Sequence, residues 1–221
     1  MDKVFYINVS RYEDRRNYME NQFRKQKIKY VRYPAIDHKN ISDLFLRNLK
    51  KQNLVKSVKY IVDNRKIGSL ACLLSHTNLW KKLNSEYEEK KYFVIMEDDA
   101  KICDNFKEEV NIALNNAPKD WDMIWLGYNE IKGKKISDYY FKPESGRLEG
   151  FNSQHHCYLI KNSAINKIIN IIFPLPEIFI TKDSILRDNF DKFKPYFYYK
   201  KLAYQDQVTF PKSIRTGGKN G

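Results

Sequence analysis

Short apolar runs alternate with charged segments of helical periodicity along the first half of the chain. The pattern predicts a strand from Val4 to Val9, a helix from Tyr12 to Gln26 and a second strand from Ile28 to Tyr33. A β-α-β order favours a parallel sheet, because parallel neighbours need a crossover that usually contains a helix. We therefore expect an α/β fold, with a Rossmann-related, mixed and mainly parallel sheet flanked by helices.

The same periodicities continue through the middle of the chain. Apolar positions at helical spacing predict one helix that begins after Ser42, one from Ser69 to Leu83, and one with an N-cap at Asp104. Two apolar runs, Tyr92 to Met96 and Trp121 to Leu126, predict buried strands. Strands and helices are therefore expected to alternate up to the end of the second run.

The last third of the chain is less regular. Residues 128–152 are rich in Lys, Gly and Ser and predict a long loop or an irregular hairpin. A short strand at 157–160 is followed by a helix capped by Ser163, and residues 181–190 predict another short helix. Residues 191–221 are aromatic and basic, and we expect them to be largely irregular.

The run from Tyr92 ends abruptly in three carboxylates, Glu97, Asp98 and Asp99. In open α/β sheets, ligands bind beyond the carboxyl ends of the strands. Three adjacent acids repel one another, and a hard divalent cation with oxygen ligands would offset their charge while binding substrate phosphates. The motif therefore indicates either a Mg²⁺ or Mn²⁺ site or an acidic turn that is solvated or caps a helix.

Length and composition set the class of protein. The chain has 221 residues, of which 42% are hydrophobic and 14% aromatic. These values suit a single domain over residues 1–221 with a packed core, and the Gly-rich end at 217–221 is expected to be disordered. The net charge of +13 attracts anions such as nucleic acid, anionic membranes or phosphorylated small molecules. A basic nucleic-acid-binding protein and a metal-dependent nuclease are therefore alternative functions.

Cysteine usage and hydropathy indicate a compartment. Three widely spaced cysteines, Cys72, Cys103 and Cys157, predict neither a disulfide framework nor a metal-ligand spacing. The apolar run at residues 4–7 is too short for a secretory signal, and no apolar run reaches the length of a membrane span. We expect a cytoplasmic protein, for which peripheral membrane contact stays open.

Arginines and histidines provide further candidates. Arg11, Arg15 and Arg16 follow the first strand and could bind a diphosphate, although a solvated helix face is the alternative. Ser75 and His76 are neighbours on a predicted helix and cannot face each other, so we exclude a nucleophilic pair. His155, His156 and Cys157 alternate faces, so they cannot all bind one metal ion, but one of the histidines could complete a shell built on Glu97 and Asp99.

Several of these segments together resemble glycosyltransferase family 25, which includes bacterial lipooligosaccharide and collagen hydroxylysine galactosyltransferases. The matching segments are Tyr6-Ile7-Asn8-Val9, Asp14-Arg15-Arg16, Tyr33-Pro34-Ala35-Ile36-Asp37, Ala71-Cys72-Leu73-Leu74-Ser75-His76, Phe93 to Asp99, His156-Cys157-Tyr158-Leu159-Ile160, Pro176 to Asp183 and Gln205 to Ile214. The chain departs from the family pattern at Ser69, Ala71, His38 and Ser213-Ile214. The identity of the donor sugar and of the acceptor therefore stays open.

The resemblance implies a GT-A fold and an inverting transfer of a hexose, galactose or glucose, from a UDP-sugar to a glycan, glycolipid or protein acceptor. Nucleic acid is then not expected as a partner. It also implies that residues 1–127 bind the nucleotide sugar and 128–216 face the acceptor. Mn²⁺ or Mg²⁺ would be held by Glu97, Asp99 and His156, and Asp183 would be the general base. The implied donor-binding residues are Asn8, Arg11, Arg15, Arg16, Asp37, Ser75, His76 and Asp98.

Overall fold

The structure is a computed structural model that describes residues 1–57, 64–146, 151–177 and 180–210. Its strands are β1 (Val4–Asn8), β2 (Tyr30–Pro34), β3 (Val55–Ser57), β4 (Tyr92–Glu97), β5 (Ala100–Ile102), β6 (Met123–Gly127), β7 (Gly133–Lys135), β8 (Tyr140–Pro143), β9 (Cys157–Lys161), β10 (Leu175–Glu177), β11 (Pro195–Tyr198) and β12 (Ala203–Gln205). Its α-helices are α1 (Glu13–Lys25), α2 (Asp43–Lys51), α3 (Asn64–Glu86), α4 (Phe106–Asn115), α5 (Ile165–Ile172) and α6 (Lys182–Arg187).

Eight of these strands form one sheet in the order β2-β1-β4-β9-β6-β11-β8-β7. β1 pairs in parallel with β2 and β4, and β6 pairs in parallel with β11. β9 is antiparallel to both β4 and β6, and β8 is antiparallel to both β11 and β7. Six strands therefore run in one direction and two, β9 and β8, in the other. This confirms the expected mixed, mainly parallel α/β sheet.

Both faces of the sheet are covered, because successive strand residues point to opposite sides. In β1, Phe5 and Ile7 belong to one hydrophobic cluster, while Val4 and Tyr6 belong to the other. Helices α3 and α5 pack in the first cluster, and α1 and α4 pack in the second. Every residue of β1 and β6 is buried, as expected of strands that lie between two layers of helices.

The predicted order of elements is confirmed, with boundary shifts of a few residues. Ser42 caps α2 by accepting a hydrogen bond from the Phe45 N–H, as predicted. Residues 128–152 contain the hairpin β7–β8, one of the two predicted forms. β9 comes from the half expected to face the acceptor, yet it lies between β4 and β6 of the other half. The structure therefore interleaves the two halves in one sheet.

Three expectations about the local structure are wrong. The N-cap of α4 is Asn105, in the left-handed conformation with φ of 57°, and not Asp104. Ser163 lies inside a 3-10 turn, so Ala164 precedes the first residue of α5. Residues 195–198 and 203–205 form β11 and β12 instead of irregular chain. The apolar side chains of β11 are buried against the rest of the sheet, and this tertiary contact outweighs their weak local pattern.

The tail expected to be disordered, 217–221, lies outside the described residues. Among the helices of the described residues, none is both long enough and apolar enough to cross a bilayer. The longest helix, α3, has 23 residues but includes arginine, lysine and glutamate.

Candidate active site

A cleft of about 500 Å³ opens at the carboxyl edge of the sheet. β1, β4 and β6 end at this edge, and antiparallel β9 begins there, so its preceding histidines reach the same place. The polar residues that line the cleft include Arg15, Ser75, His76, Glu97, Asp98, Asp99, Gln154, His155, His156, Lys182, Asp183 and Gln205. Eight of the twelve residues predicted from the sequence are in this set.

The other four predicted residues lie near the cleft without lining it. Asn8 is buried and contacts the acidic turn from the end of β1. Arg11 forms an ion pair with Asp37, with Nη1 3.1 Å from Oδ2. Within the described ranges, the side chain of Arg16 pairs only with Glu13, at 3.9 Å on the same helix, as the solvated-face interpretation predicts. Of the three predicted arginines, Arg15 is the one that the fold directs into the cleft.

Asp98 is held on both of its carboxylate oxygens. Arg15 Nη1 lies 2.8 Å from Oδ1, and Asn8 Nδ2 donates to Oδ2 at 2.7 Å. Burial raises the pKa of Asp98 above its ordinary value, although Arg15 and Asn8 act in the opposite direction. These contacts tie the acidic turn to β1 and α1, so Asp98 shapes the cleft while each of its oxygens is already held by one protein group.

Asp99 differs from Asp98 because one of its oxygens has no partner. Oδ2 accepts a hydrogen bond from Gln205 Nε2 at 2.9 Å and lies 3.7 Å from Arg15 Nη1. Oδ1 is buried and has no hydrogen-bond partner among the described residues. Burial and the charge of Glu97 raise the pKa of Asp99 to about 6. A buried, unpaired carboxylate oxygen is costly, and a bound cation would satisfy it.

Glu97, at the end of β4, faces a buried lysine that the sequence analysis did not single out. Its Oε1 lies 2.7 Å from Lys182 Nζ and 3.1 Å from His76 Nε2. Burial opposes ionisation of Glu97, but the charge of Lys182 and the contact with His76 outweigh it and hold its pKa well below the ordinary value. Glu97 is therefore an ionised partner of Lys182 in the floor of the cleft.

His76 belongs to a buried network on the inner face of α3. Its Nδ1 lies 2.7 Å from the hydroxyl of Tyr158, which also accepts a hydrogen bond from Trp80 Nε1 at 2.8 Å. Burial and the charge of Lys182 lower the pKa of His76 to about 4, so its imidazole is neutral near pH 7. Both ring nitrogens of His76 are engaged with the protein.

Ser75 supports the loop that follows β2. Its hydroxyl donates to the Ala71 carbonyl at 2.6 Å and accepts the Ile36 N–H at 2.9 Å. α3 therefore fixes the turn that precedes Asp37, and Ser75 shapes the rim of the cleft.

Asp183, the predicted general base, is oriented by the segment before β9. Its Oδ2 accepts the Gln154 N–H at 2.8 Å, and Oδ1 lies 3.3 Å from His155 Nδ1. Burial opposes ionisation, but His155, Lys182 and the Gln154 N–H outweigh it and lower the pKa of Asp183. The carboxylate is thus ionised, held in one orientation, and in contact with the cleft.

His156 lies between β6 and β12. Its Nε2 donates to the Ala203 carbonyl at 3.0 Å, which leaves Nδ1 as an acceptor with no partner among the described residues. A Cβ on Gly127 would lie 2.5 Å from Nε2, so only glycine leaves room for the ring. His156 and Asp99 both contact the β12 region, through Ala203 and Gln205, and both line the cleft.

Two atoms of the cleft are of the kinds that bind divalent cations. Asp99 Oδ1 and His156 Nδ1 are buried ligand-type atoms without protein partners in the described chain. Among the described residues, the one set of three with ligand-type atoms close together, within 4.8 Å of one another, is Cys72, His76 and Glu97, but Lys182 Nζ contacts two of these residues. The predicted metal ligands Glu97, Asp99 and His156 all line the cleft, and their metal-binding role stays a prediction.

Polar residues of the cleft that the sequence analysis did not place in the site include Cys72, Gln154, Lys182 and Gln205. Cys72 lies four residues before His76 and so shares its helical face, a spacing that could have been noticed. Lys182 gave no signal, because one lysine in a chain with 40 Lys and Arg residues is unremarkable until its burial is known.

Comparisons with known proteins agree with this geometry. The model of "Glycosyltransferase family 25 (LPS biosynthesis protein)" matches residues 1–186. A glycosyltransferase 25 family member of Aedes aegypti is 29% identical over 132 residues, which cover 58% of this chain and 21% of that protein. Procollagen galactosyltransferase 2 of Homo sapiens is 27% identical over 139 residues, which cover 61% of this chain and 22% of that protein. The match thus spans about a fifth of the length of these curated relatives.

A solved structure, the inositol-1-phosphate CTP transferase from T. maritima, aligns with a TM-score of 0.50 and 11% identity. The alignment covers 93% of this chain and 89% of that one. At this identity the similarity concerns the fold alone, and it agrees with the GT-A-like architecture. Because the family model matches the elements that build the acidic cleft, from β1 to the first turns of α6, the chain belongs to glycosyltransferase family 25.

Proposed function

We propose that this protein is a metal-dependent, inverting glycosyltransferase that moves a hexose from a UDP-sugar to a hydroxyl of a glycan, glycolipid or protein acceptor. The observation that supports this most is the buried Oδ1 of Asp99, which has no partner in the described part of the chain and lies in a cleft at the carboxyl edge of the sheet. Membership of glycosyltransferase family 25 supports the class of reaction. The hexose is galactose or glucose, and the relative named a procollagen galactosyltransferase favours galactose.

Asp99 and His156 hold the cation in this proposal, through Oδ1 and Nδ1, which have no partner among the residues that the structure describes. A bound Mn²⁺ or Mg²⁺ would act as a Lewis acid that offsets negative charge on the diphosphate leaving group. Gln205 fixes the orientation of Asp99 through Oδ2, and the Ala203 carbonyl fixes the ring of His156 through Nε2. The protein thus presents both ligands in preset orientations.

Arg15 and the loop after β2 form the donor side of the cleft. Arg15 is buried against Asp98, and its guanidinium lies over the ring of Tyr12 at 5.4 Å from the centroid. Tyr12 and Ile36 also line the cleft, so the donor would meet an aromatic ring, an apolar loop and a fixed positive charge. These are surfaces suited to a nucleoside diphosphate.

Asp183 is the proposed general base. In an inverting transfer, the acceptor oxygen bonds to the anomeric carbon while the bond from that carbon to the UDP oxygen breaks. The proton of the acceptor hydroxyl passes to a base within hydrogen-bond reach. Asp183 is ionised and is held by the Gln154 N–H, so its carboxylate can receive that proton without first changing orientation.

The test measures donor hydrolysis and transfer with a panel of UDP-sugars, with and without Mn²⁺. We expect metal-dependent turnover that chelation with EDTA removes and added Mn²⁺ restores. Asp99→Asn should lose both Mn²⁺ binding and turnover. Asp183→Asn should still bind UDP with Mn²⁺ but lose turnover by about 100-fold or more.

Asp188→Asn is the matched control for Asp183, because Asp188 caps the same helix at an exposed position and lies outside the cleft lining. It should keep full turnover. Folded protein that binds no UDP-sugar in the presence of Mn²⁺, or an active Asp99→Asn variant, would reject the proposal.

A further inference from the structure

Lys182 is the most deeply buried cation of the cleft. It is the first residue of α6, and only 3% of its surface is exposed. Lysine is almost never fully buried unless its charge is paired, because removing an ammonium from water is costly. Its position in the protein therefore requires specific partners.

The Lys182 ammonium lies within hydrogen-bond distance of three groups. Nζ lies 2.7 Å from Glu97 Oε1, 3.0 Å from the His155 carbonyl and 3.1 Å from His76 Nε2. His76 Nε2 is also 3.1 Å from Glu97 Oε1, so it accepts from Lys182 in one tautomer of the ring and donates to Glu97 in the other. The contacts come from β4, from the segment before β9 and from α3, so Lys182 joins three elements at one point.

The residues around the Lys182 ammonium are of the types that bind metal ions. Cys72, His76 and Glu97 offer ligand-type atoms within 4.8 Å of one another. Two of these residues, His76 and Glu97, contact Lys182 Nζ directly. The ammonium therefore supplies the positive charge that a metal ion would supply there.

The three acids of the turn are then in three different situations. Asp98 is held by Arg15 and Asn8, and Glu97 is paired with Lys182. Among the described residues, Asp99 is the acid of this turn with a fully buried oxygen that has no hydrogen-bond partner. The acidic run that suggested several metal ligands thus leaves one carboxylate oriented for the cation.

We propose that Lys182 is a positioning residue with two effects. Its ammonium is the permanent counter-ion of Glu97, and this pairing keeps Glu97 out of the metal shell. The same ammonium anchors Asp183 at the cleft. The metal and base roles rest on the proposed function, whereas the ion pair does not. Because Lys182 and Asp183 are consecutive, the anchor at Lys182 sets where the carboxylate of Asp183 lies.

The experiment compares Lys182→Met, Glu97→Gln and the double variant in three assays. Manganese bound in the presence of UDP is followed by electron paramagnetic resonance. We expect the double variant to bind Mn²⁺ within about threefold of the unaltered chain, while Asp99→Asn weakens binding about 100-fold or more. If the double variant loses Mn²⁺ as Asp99→Asn does, Glu97 is a metal ligand and the inference is wrong.

Unfolding in urea tests the ion pair without metal. Each single variant leaves one charge of the pair without its partner, so each should lower the unfolding midpoint more than the double variant does. Additive effects would overturn the inference. The unfolding assay tests the ion pair even if the unaltered chain binds no Mn²⁺. Failure to bind Mn²⁺ would reject only the proposed metal dependence.

Turnover tests the anchoring of Asp183. The double variant should lower kcat about tenfold or more while KM for the donor changes little, because the base moves and the donor side does not. A double variant with unchanged kcat would refute the positioning role. The control is Lys82→Met with Glu86→Gln, an exposed ion pair on α3 that should leave all three assays unchanged.

Discussion

Arg15 of α1 and Asp98 of the acidic turn form a buried ion pair, with Nη1 2.8 Å from Oδ1. The two residues are 83 positions apart, and the pair closes the turn against the helix that follows β1. Tyr12 and Phe210 add aromatic contacts on the guanidinium, at 5.4 and 5.0 Å from their ring centroids. The acidic turn is therefore held from the side on which a donor would bind.

Replacement of Arg15 by Met tests this pair. Asp98 would stay buried with only Asn8 as a side-chain partner, so the free energy of unfolding should fall by about 3 kcal/mol or more. The matched control is Arg16→Met, which should cost no more than about 0.5 kcal/mol, since the ion pair of Arg16 in the described part of the chain is with Glu13 at 3.9 Å. Urea denaturation measures both, and equal losses would contradict the role of the pair.

Gly127→Ala tests the placement of His156. The added Cβ would lie 2.5 Å from Nε2 and 2.7 Å from Cδ2 of the ring, so the imidazole must leave the Ala203 carbonyl. Overpacking of this kind should cost about 1–3 kcal/mol in the free energy of unfolding. If His156 is a metal ligand, Mn²⁺ affinity should fall as well.

His156→Ala is the partner variant for that test. It removes the ring that the new Cβ would meet, so adding Gly127→Ala to it should lower stability less than Gly127→Ala alone does in the unaltered chain. Thermal or urea unfolding of the four proteins gives the comparison. An equal loss in both backgrounds would show that His156 is not what excludes a side chain at Gly127.

Tyr158→Phe tests the network beneath the cleft. The hydroxyl of Tyr158 accepts a hydrogen bond from Trp80 Nε1 and lies 2.7 Å from His76 Nδ1, so its removal leaves buried polar atoms without partners. We expect the free energy of unfolding to fall by about 2 kcal/mol. Tyr204→Phe, at a half-exposed position on β12, should change it little. A stable Tyr158→Phe variant would mean that other groups satisfy Trp80 and His76.

Ser75→Ala tests the link between α3 and the donor-side loop. The substitution removes the acceptor of the Ile36 N–H, so the loop before Asp37 should loosen and KM for the donor should rise, with kcat less affected. The control is Ser85→Ala, because the Ser85 hydroxyl is exposed on the same helix and bonds only to the Lys82 carbonyl among the described residues. Steady-state kinetics would separate the two, and identical KM values would contradict the link.

Much of the fold could be predicted from local pattern. The runs that became β1, β4 and β6 are apolar and short, and the segment of α3 from Ser69 to Leu83 repeats at helical spacing. Such patterns report burial on one or both faces, which is a local property of the sequence. β11 and β12 were missed because their identity depends on pairing with β6, β8 and β5, which no local pattern encodes.

The acids of the site were predictable, but their roles were not. Glu97, Asp98 and Asp99 follow an apolar run, and this pattern alone predicts that they lie at the carboxyl edge of the sheet. Which acid is paired depends on cationic side chains from distant segments, Arg15 of α1 and Lys182 of α6. Tertiary packing places these two side chains beside the acids.

The sequence by itself determined the α/β class, the family and the edge of the sheet where chemistry would occur, because apolar periodicity and the order of motifs are properties of the chain itself. The tertiary structure decided that β9 runs antiparallel between β4 and β6, which brings His155 and His156 to that edge. It also decided that Lys182 meets Glu97 across 85 positions. Charges and hydrogen bonds act over a few ångströms of space, whatever the separation along the chain, so only the folded protein reveals which groups neutralise one another.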